Sequence, residues 1–595
     1  MPVPVVDKVW RLLPAKPDEA NRLARDAKLS PVVAQLLLNR GITAAAEANR
    51  FLNAPLAALH SPALLPHIPL AAVRVHNAIV EKRKICIYGD YDVDGVTGTA
   101  ILLKLLTHLG ADVMFHVPLR LSEGYGLNSE RLGELAKQGV SLVISVDCGI
   151  ASVDEAAEAK RLGLELIVTD HHEMKTKGDA VLLPDAAVLV HPRLPGSTYP
   201  FGGLSGAGVA FKLAWAVGQQ VSGAEKVRAD LRELLLDCLG LAALGLIADI
   251  VPLQDENRIF VRNGLQRILD KPSVGLSALI AAAQLGTEKP LTTEDVGFRL
   301  APRLNAAGRL GYASLAVELL TTKNEEKAKK LAEYLEGQNR ERQAVERKIT
   351  AQAKEMMTSY DLGTTAGIVL GSADWHQGVV GIVASRMVET YARPALVVSI
   401  KNEEQIAVGS GRSVPGFALH LALKACEEHL IGHGGHAAAA GFKLLPENLD
   451  AFAAAFNAYA ASQFPEGTPP APRLTLDTEI PLSAISWGLL RDIDKLEPYG
   501  AQNPKPKFLA AGVKVENPRA IGSGDVKRHL DFKARQGAIT FRCVGWNMAE
   551  RLEELQSAGG DACIAFTPRG HEWNDFHSIQ LVIHDFKPGI TVDLE

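Results

Sequence analysis

Short apolar runs alternate with amphipathic segments over residues 84–170. KICIYGD (84–90), DVMFHVP (112–118), LVISVD (142–147) and LELIVTD (164–170) are bounded by turn residues and read as buried strands. TGTAILLKLLTHLG, NSERLGELAKQG and SVDEAAEAKRLG, which separate them, read as helices. This alternation predicts an α/β domain with a doubly wound parallel sheet over 61–321. Residues 1–60 are rich in Ala and Leu and read as a helical segment. The charged stretch 322–360 predicts a long linking helix, open to interruption at Gly337. A second α/β block follows over 361–465. The Pro-rich FPEGTPPAPR then leads to short alternating runs over 474–590, which predict a small β-barrel.

The chain has 595 residues, too many for one hydrophobic core, so several domains are expected. The net charge of -5 gives no global basic field, and a polyanionic partner would need local basic patches. The six cysteines form no CxxC pair, which argues against a zinc ribbon or a disulfide framework. The first residues lack a signal pattern and no apolar run reaches membrane-spanning length, so a cytoplasmic protein is expected.

The chemistry gathers where strands end. YGDYDVDG places Asp90, Asp92 and Asp94 after the first strand. Asp147 ends another, and Asp170, His171 and His172 end a third. Ligands of open parallel sheets bind beyond these carboxyl ends, so the groups should converge. Asp249, closing the apolar stretch of GLIADIVPL, can point back toward them. DYDVDG is not a calcium loop, because its twelfth position is Ile101. Sulfur-free carboxylate ligation with imidazoles suits Mn²⁺, with Mg²⁺ as a substitute. So many ligands exceed the needs of one ion and suggest a pair ~3.5–4 Å apart, as used in phosphoester cleavage.

DYDVDG, SVDCG, VTDHHE and ADIVPL, in this order, resemble the DHH phosphoesterase superfamily. GFRLAPRLNAAGRLG, WHQGVVGIVASR, GSGRSVPG and GHGGHAAAAGF narrow the resemblance to the RecJ family of bacterial single-strand DNA exonucleases. It runs from about residue 60 to near the C-terminus. It implies DHH, DHHA1 and OB-fold domains, and 5′-to-3′ degradation of single-stranded DNA to mononucleotides in repair and recombination. The metal ligands it implies are Asp90, Asp92, Asp94, Asp147, His171 and Asp249, with Asp147 bridging and His172 at the scissile phosphate. It also implies a monomer, with single-strand-binding protein and a RecQ-type helicase as partners.

RLAPRLNAAGR carries Arg299, Arg303, Asn305 and Arg309. Composition alone fits a solvated surface helix as well as a phosphate site; the family match selects phosphate, where arginine forks suit the oxygens. Ser410 and Arg412 in GSGRSVPG, and His436 in GHGGHAAAAG, belong to glycine-rich turns able to approach anions. His433 reads equally as packing, and Trp375 as core. Lys505, Lys507, Lys527, Arg528, Lys533 and Arg535 interleave with Phe508, Phe532 and Phe541, as in single-strand binders. Two other readings compete: a DHH phosphodiesterase of short oligonucleotides, and a non-catalytic nucleic-acid scaffold. An extended binding barrel argues against the first, and the full set of acids and histidines against the second.

Overall fold

The computed structural model describes residues 7–119, 123–178, 180–286, 288–309, 312–401, 405–523, 526–557, 560–573 and 576–595. The chain divides into two compact units. One comprises Pro17–Asn339 with Arg491–Lys505; the other comprises Met1–Lys16, Arg340–Leu490 and Pro506–Glu595.

The first unit is built on five parallel strands: β1 (Lys84–Tyr88), β2 (Val113–His116), β3 (Val140–Val146), β4 (Glu165–Thr169) and β5 (Val188–Val190). Their order is β2-β1-β3-β4-β5. Ile85 and Ile87 join Val96, Ile101 and Leu105 of α1 (Val93–His108) in one core. Cys86 and Tyr88 face the opposite side, among Leu132 and Leu135 of α2 (Ser129–Lys137) and Ala156 and Ala159 of α3 (Val153–Arg161). Burial on both faces is why β1 reads as a continuous apolar run. Two largely buried helices, α4 (Gly206–Ser222) and α5 (Ala229–Ala248), thicken the α1 side. Strand order reverses between β1 and β3, the switch point at which such sheets bind ligands. Asp90, Asp92 and Asp94 follow β1, and Asp147 follows β3. The GFRLAPRLNAAGR segment opens in a π-helical turn, Val296–Leu300, and continues as α6 (Ala301–Arg309).

In the second unit, β6 (Ile368–Ser372), β7 (Ala395–Lys401), β8 (Ile406–Arg412), β9 (Gly432–Gly435) and β10 (Ala439–Leu444) form a mixed sheet in the order β9-β10-β8-β7-β6. The C-terminal strands are β11 (Phe508–Ser523), β12 (Val526–Gln536), β13 (Ile539–Gly545), β14 (Asp561–Trp573) and β15 (Phe576–Pro588). They follow the order β11-β12-β13-β15-β14, and β14 returns to pair with β11. This closes the expected small barrel, here with five strands.

Two features depart from the sequence expectations, and a third answers a point they left open. The opening segment is not helical throughout: Val9–Leu12 is a strand, paired in parallel with Arg473–Leu476. Trp10 is buried there, its Nε1 donating to Asp585 Oδ2 at 2.8 Å. Distant pairing selects this strand, and nothing in four residues of sequence announces it. The long helix α7 (Glu325–Met356) passes Gly337 unbroken; one glycine costs about 1 kcal/mol, which its strong helix-forming neighbours offset. Lastly, Arg491–Lys505 belongs to the first unit, not to the barrel. The buried Arg258 donates there to the carbonyls of Leu496 (2.9 Å) and Glu497 (2.7 Å), and to that of Phe51 (2.6 Å). Among the described residues, no single helix is long and apolar enough to cross a membrane.

Candidate metal centre

Asp92 caps α1, its Oδ1 accepting from the N–H groups of Asp94 (2.9 Å) and Gly95 (3.1 Å). Asp94 is buried and reaches the N-terminus of α4. Its Oδ1 accepts from Ser205 Oγ (2.8 Å) and the Ala207 N–H (3.0 Å), and its Oδ2 from the Gly206 N–H (2.6 Å). Two helix N-termini therefore face the acid cluster and offset part of its self-repulsion. The approach is close enough to require glycine. A Cβ on Gly206 would lie 2.4 Å from Asp147 Oδ1, and one on Gly245 2.5 Å from Asp94 Oδ1.

Asp147 has φ +64°, a left-handed conformation that Asp tolerates better than most residues. Asp170, named with the converging acids, is a brace and not a ligand. Its Oδ1 accepts from the His171 N–H (2.7 Å), the His172 N–H (3.1 Å) and His172 Nδ1 (2.8 Å), and its Oδ2 from the Ile150 N–H (2.9 Å). Both oxygens are thereby committed. Asp249 follows α5 directly, as its C-cap.

Donor atoms of Asp94, His171 and Asp249 lie within 4.8 Å of one another. So do those of Asp90, Asp92 and Asp147, and those of Asp147, His171 and His172. His171 Nε2 is 3.1 Å from Asp147 Oδ1, 3.5 Å from Asp249 Oδ2 and 3.8 Å from Asp94 Oδ2. Asp147 Oδ1 and His171 Nε2 are shielded from solvent and make no hydrogen bond among the described residues. Buried polar atoms left so are costly unless a cation lies among them. An oxygen-rich set with imidazole and without sulfur fits Mn²⁺ or Mg²⁺.

The titration behaviour has the same origin. Burial, then repulsion from Asp94, Asp92 and Asp90, holds the Asp147 carboxyl well above its usual range. Burial and the neighbouring Asp94 and Asp92 push Asp249 up to about 8. Burial takes His171 down to about 4, despite the carboxylates, and leaves it neutral, the form able to hold a cation. Burial opposes ionisation of both Asp170 and His172, but their hydrogen bond prevails. Asp170 lies at about 2 and His172 at about 9.

A linkage prediction follows for the metal-free chain. A carboxyl whose pKa is raised on folding stabilises the fold at low pH and ceases to as pH climbs from its ordinary 3.8 through about 8. The melting temperature of metal-free protein, measured against Asp249→Asn, is expected to fall as pH rises across that window. Added divalent metal should abolish the fall, because binding displaces the proton. A gap between the two chains that does not change with pH would contradict this.

The structure brings the six predicted metal ligands and His172 together, and the phosphate candidates are divided between the two compact units. Arg299 and Arg303 both make contacts within the fold. Arg299 Nη2 donates to the carbonyls of Ala283 (2.7 Å) and Gln284 (3.0 Å), and so caps a neighbouring helix. Arg303 Nε lies 2.7 Å from Glu336 Oε2, and its Nη1 donates to the Arg299 carbonyl. Both guanidiniums are engaged in holding the fold. Asn305 and Arg309 lie on α6; the Arg309 side chain falls outside the described residues. A Cβ on Gly308 would lie 2.4 Å from the Tyr91 carbonyl oxygen, so this end of α6 rests against the DYDVDG loop.

Ser410, Arg412 and His436 belong to the other compact unit. Arg412 Nη1 donates to the Gly411 carbonyl (2.7 Å) and to Ser410 Oγ (3.3 Å), while His436 is exposed, as is His433 on β9. Trp375 is core, its Nε1 donating to Gln352 Oε1 at 2.9 Å. In the barrel, Phe508 and Phe532 are buried and cannot stack bases, and Phe541 is half-buried. An exposed ring there is Trp546, set edge-on against His529 with centroids 4.8 Å apart. Lys533, Arg535 and Arg542 are exposed on β12 and β13, whereas Lys505 belongs to the first unit.

Sequence reasoning missed Ser205, Gly206, Gly245 and Tyr125. Ser205 could have been found as a helix-capping serine in LSGAG. Tyr125 hydroxyl donates to the Asp147 carbonyl at 3.2 Å and lies 3.1 Å from His172 Nδ1. Its only sequence signal is an aromatic residue flanked by Gly124 and Gly126.

The DHH family, N-terminal domain, matches residues 84–246, the DHHA1 domain 364–462 and the RecJ OB domain 476–585. Fold and site together define a phosphoesterase of the DHH class. The chain is 39% identical to the single-stranded-DNA-specific exonuclease RecJ of Bacillus subtilis, over 97% of this chain and 70% of that protein. It is 33% identical to the RecJ of Haemophilus influenzae, over 94% and 96% respectively. The solved structure of Thermus thermophilus RecJ in complex with Mn²⁺ superposes with a TM-score of 0.82 at 32% identity, covering 99% of this chain and 80% of that one. The chain belongs to the RecJ family of single-stranded-DNA-specific exonucleases.

Proposed function

We propose that the chain hydrolyses single-stranded DNA from its 5′ end to 5′-mononucleotides, using two divalent cations. The observation that carries this is the pair of donor groups, Asp94–His171–Asp249 and Asp90–Asp92–Asp147, meeting at the switch point of the sheet. The Thermus relative has been solved with Mn²⁺ and with Mg²⁺, which supports Mn²⁺ here, with Mg²⁺ as a substitute. When bound, such a pair supplies Lewis acidity to the phosphoryl group and acidifies water.

The chain's own residues bind and orient. His172, held by Asp170 through Nδ1, leaves Nε2 to face a phosphate oxygen. Arg309 and Asn305, on the helix that rests against the DYDVDG loop, take the neighbouring phosphate. Ser410, Arg412 and His436 offer a second phosphate-binding set. In the barrel, Lys533, Arg535, Arg542 and Trp546 supply charge and a stacking face for the strand. We assign the activity to DNA repair and recombination in the cytoplasm, with single-strand-binding protein and a RecQ-type helicase as partners. The domain division is proposed as 61–321, 361–465 and 474–590, with 322–360 as the linking helix.

The test uses end-labelled strands and metal-depleted protein. With Mn²⁺, a 5′ label is expected to appear at once in mononucleotide, while a 3′ label remains on a shortening strand. Chelation should abolish activity; Mn²⁺ should restore it, Mg²⁺ less fully and Ca²⁺ not at all. Immediate release of the 3′ label would reverse the polarity, and full activity after verified metal removal would overturn the mechanism.

A further inference from the structure

The Asp94 carboxylate is held on both oxygens by the N-terminus of α4. Oδ1 accepts from Ser205 Oγ (2.8 Å) and the Ala207 N–H (3.0 Å), and Oδ2 from the Gly206 N–H (2.6 Å). A carboxylate has about four lone-pair sites, two on each oxygen. Among the described residues, Oδ1 is thus fully engaged and Oδ2 keeps one site open. Oδ2 is also the oxygen toward the metal centre, 3.8 Å from His171 Nε2. Oδ1 is walled off by α5, where a Cβ on Gly245 would lie 2.5 Å from it. Ser205 is buried and serves two partners. Its Oγ accepts from the Gly208 N–H at 3.3 Å, which caps the helix. Capping needs only that acceptance; the donation to Asp94 is a separate use of the same hydroxyl.

We propose that Ser205 is a positioning residue that sets the metal selectivity of the Asp94–His171–Asp249 group, a reading that rests on the cation-dependent function proposed above. By occupying Oδ1, the hydroxyl restricts Asp94 to ligation through one oxygen. One-oxygen carboxylates suit Mg²⁺ and Mn²⁺, which favour octahedral sites. Ca²⁺ takes about 6–8 oxygens and often both oxygens of a carboxylate. An Asp94 that cannot offer its second oxygen therefore disfavours Ca²⁺. Without the hydroxyl, Oδ1 is a buried oxygen short of one donor. A larger ion that spans both oxygens makes good that deficit, and a smaller one does not.

The test uses the full chain, stripped of metal and reloaded with two equivalents of Mn²⁺, with free and bound Mn²⁺ distinguished by electron paramagnetic resonance. Ca²⁺ is then titrated in. In Ser205→Ala, the Ca²⁺ concentration that releases one of the two equivalents should fall about tenfold, the lower end of what hydrogen-bond partners of metal ligands contribute to affinity. The concentration that releases the other equivalent should not change. Ser205→Gly also lacks the hydroxyl but is well accepted at a helix N-cap. It should behave alike, and it keeps the test available if alanine unfolds the chain. Displacement by Mg²⁺, which gains nothing from a second oxygen, should follow the wild-type profile in both variants. An unchanged Ca²⁺ profile in a folded variant would overturn the proposal. So would Ca²⁺ and Mg²⁺ profiles that shift together, since the hydroxyl would then only cap the helix. Failure of the underlying function would look different: the wild-type chain would not bind two equivalents of Mn²⁺.

Discussion

Asp147→Asn is expected to lower turnover on single-stranded DNA by on the order of 10³-fold or more, while the protein remains folded. Asp147 lies within reach of both the Asp90–Asp92 pair and His171, so its loss disrupts both donor groups. Asparagine keeps the volume and tolerates the left-handed backbone at φ +64°, so the change tests charge and ligation, not conformation. The buried carboxylate is repelled by Asp94, Asp92, Asp90 and Asp249, and neutralising it should not destabilise the metal-free chain. Elemental analysis should find metal depleted, and thermal melting should show an intact fold. A folded variant with full metal content and near-normal turnover would remove Asp147 from the centre.

Lys212→Met is expected to cost about 3–5 kcal/mol of stability, the usual cost of breaking a buried ion pair from one side. Lys212 and Glu256 are both fully buried and in direct contact, and Lys212 Nζ also donates to the His60 carbonyl at 2.6 Å. Glu256 further accepts from the His60 N–H at 2.8 Å and from the Tyr199 hydroxyl. Methionine would fill the space of the alkyl chain but leave the Glu256 charge buried without its cation. A fall in melting temperature on the order of 10 °C should result, and Lys212→Met/Glu256→Gln should recover part of it. If both variants melted with the wild-type chain, the pair would contribute nothing. Because Lys212 lies on α4, whose N-terminus holds Asp94, the loss should also loosen the metal centre as unfolding approaches.

Much of this protein is determined within short stretches of its chain. The doubly wound sheet is legible because strands buried on both faces must be apolar throughout, and the helices between them must carry a stripe. DYDVDG and DHH announce metal chemistry because closely spaced acids and imidazoles are costly without a cation. Tertiary structure decided what depends on partners distant in sequence. Arg299 and Arg303 stand out in RLAPRLNAAGR, but their contacts with Ala283, Gln284 and Glu336 are set by the fold. Phe508 and Phe532 alternate with basic residues as stacking platforms would, but barrel closure turns them inward. Asp170 and His171 are adjacent in sequence, yet hydrogen-bond donors from Ile150 and His172 make the first a brace. Carboxylates supplied by other elements surround the second. A side chain's chemical type is written in the sequence, but its role is set by which groups the fold places within hydrogen-bonding or packing distance.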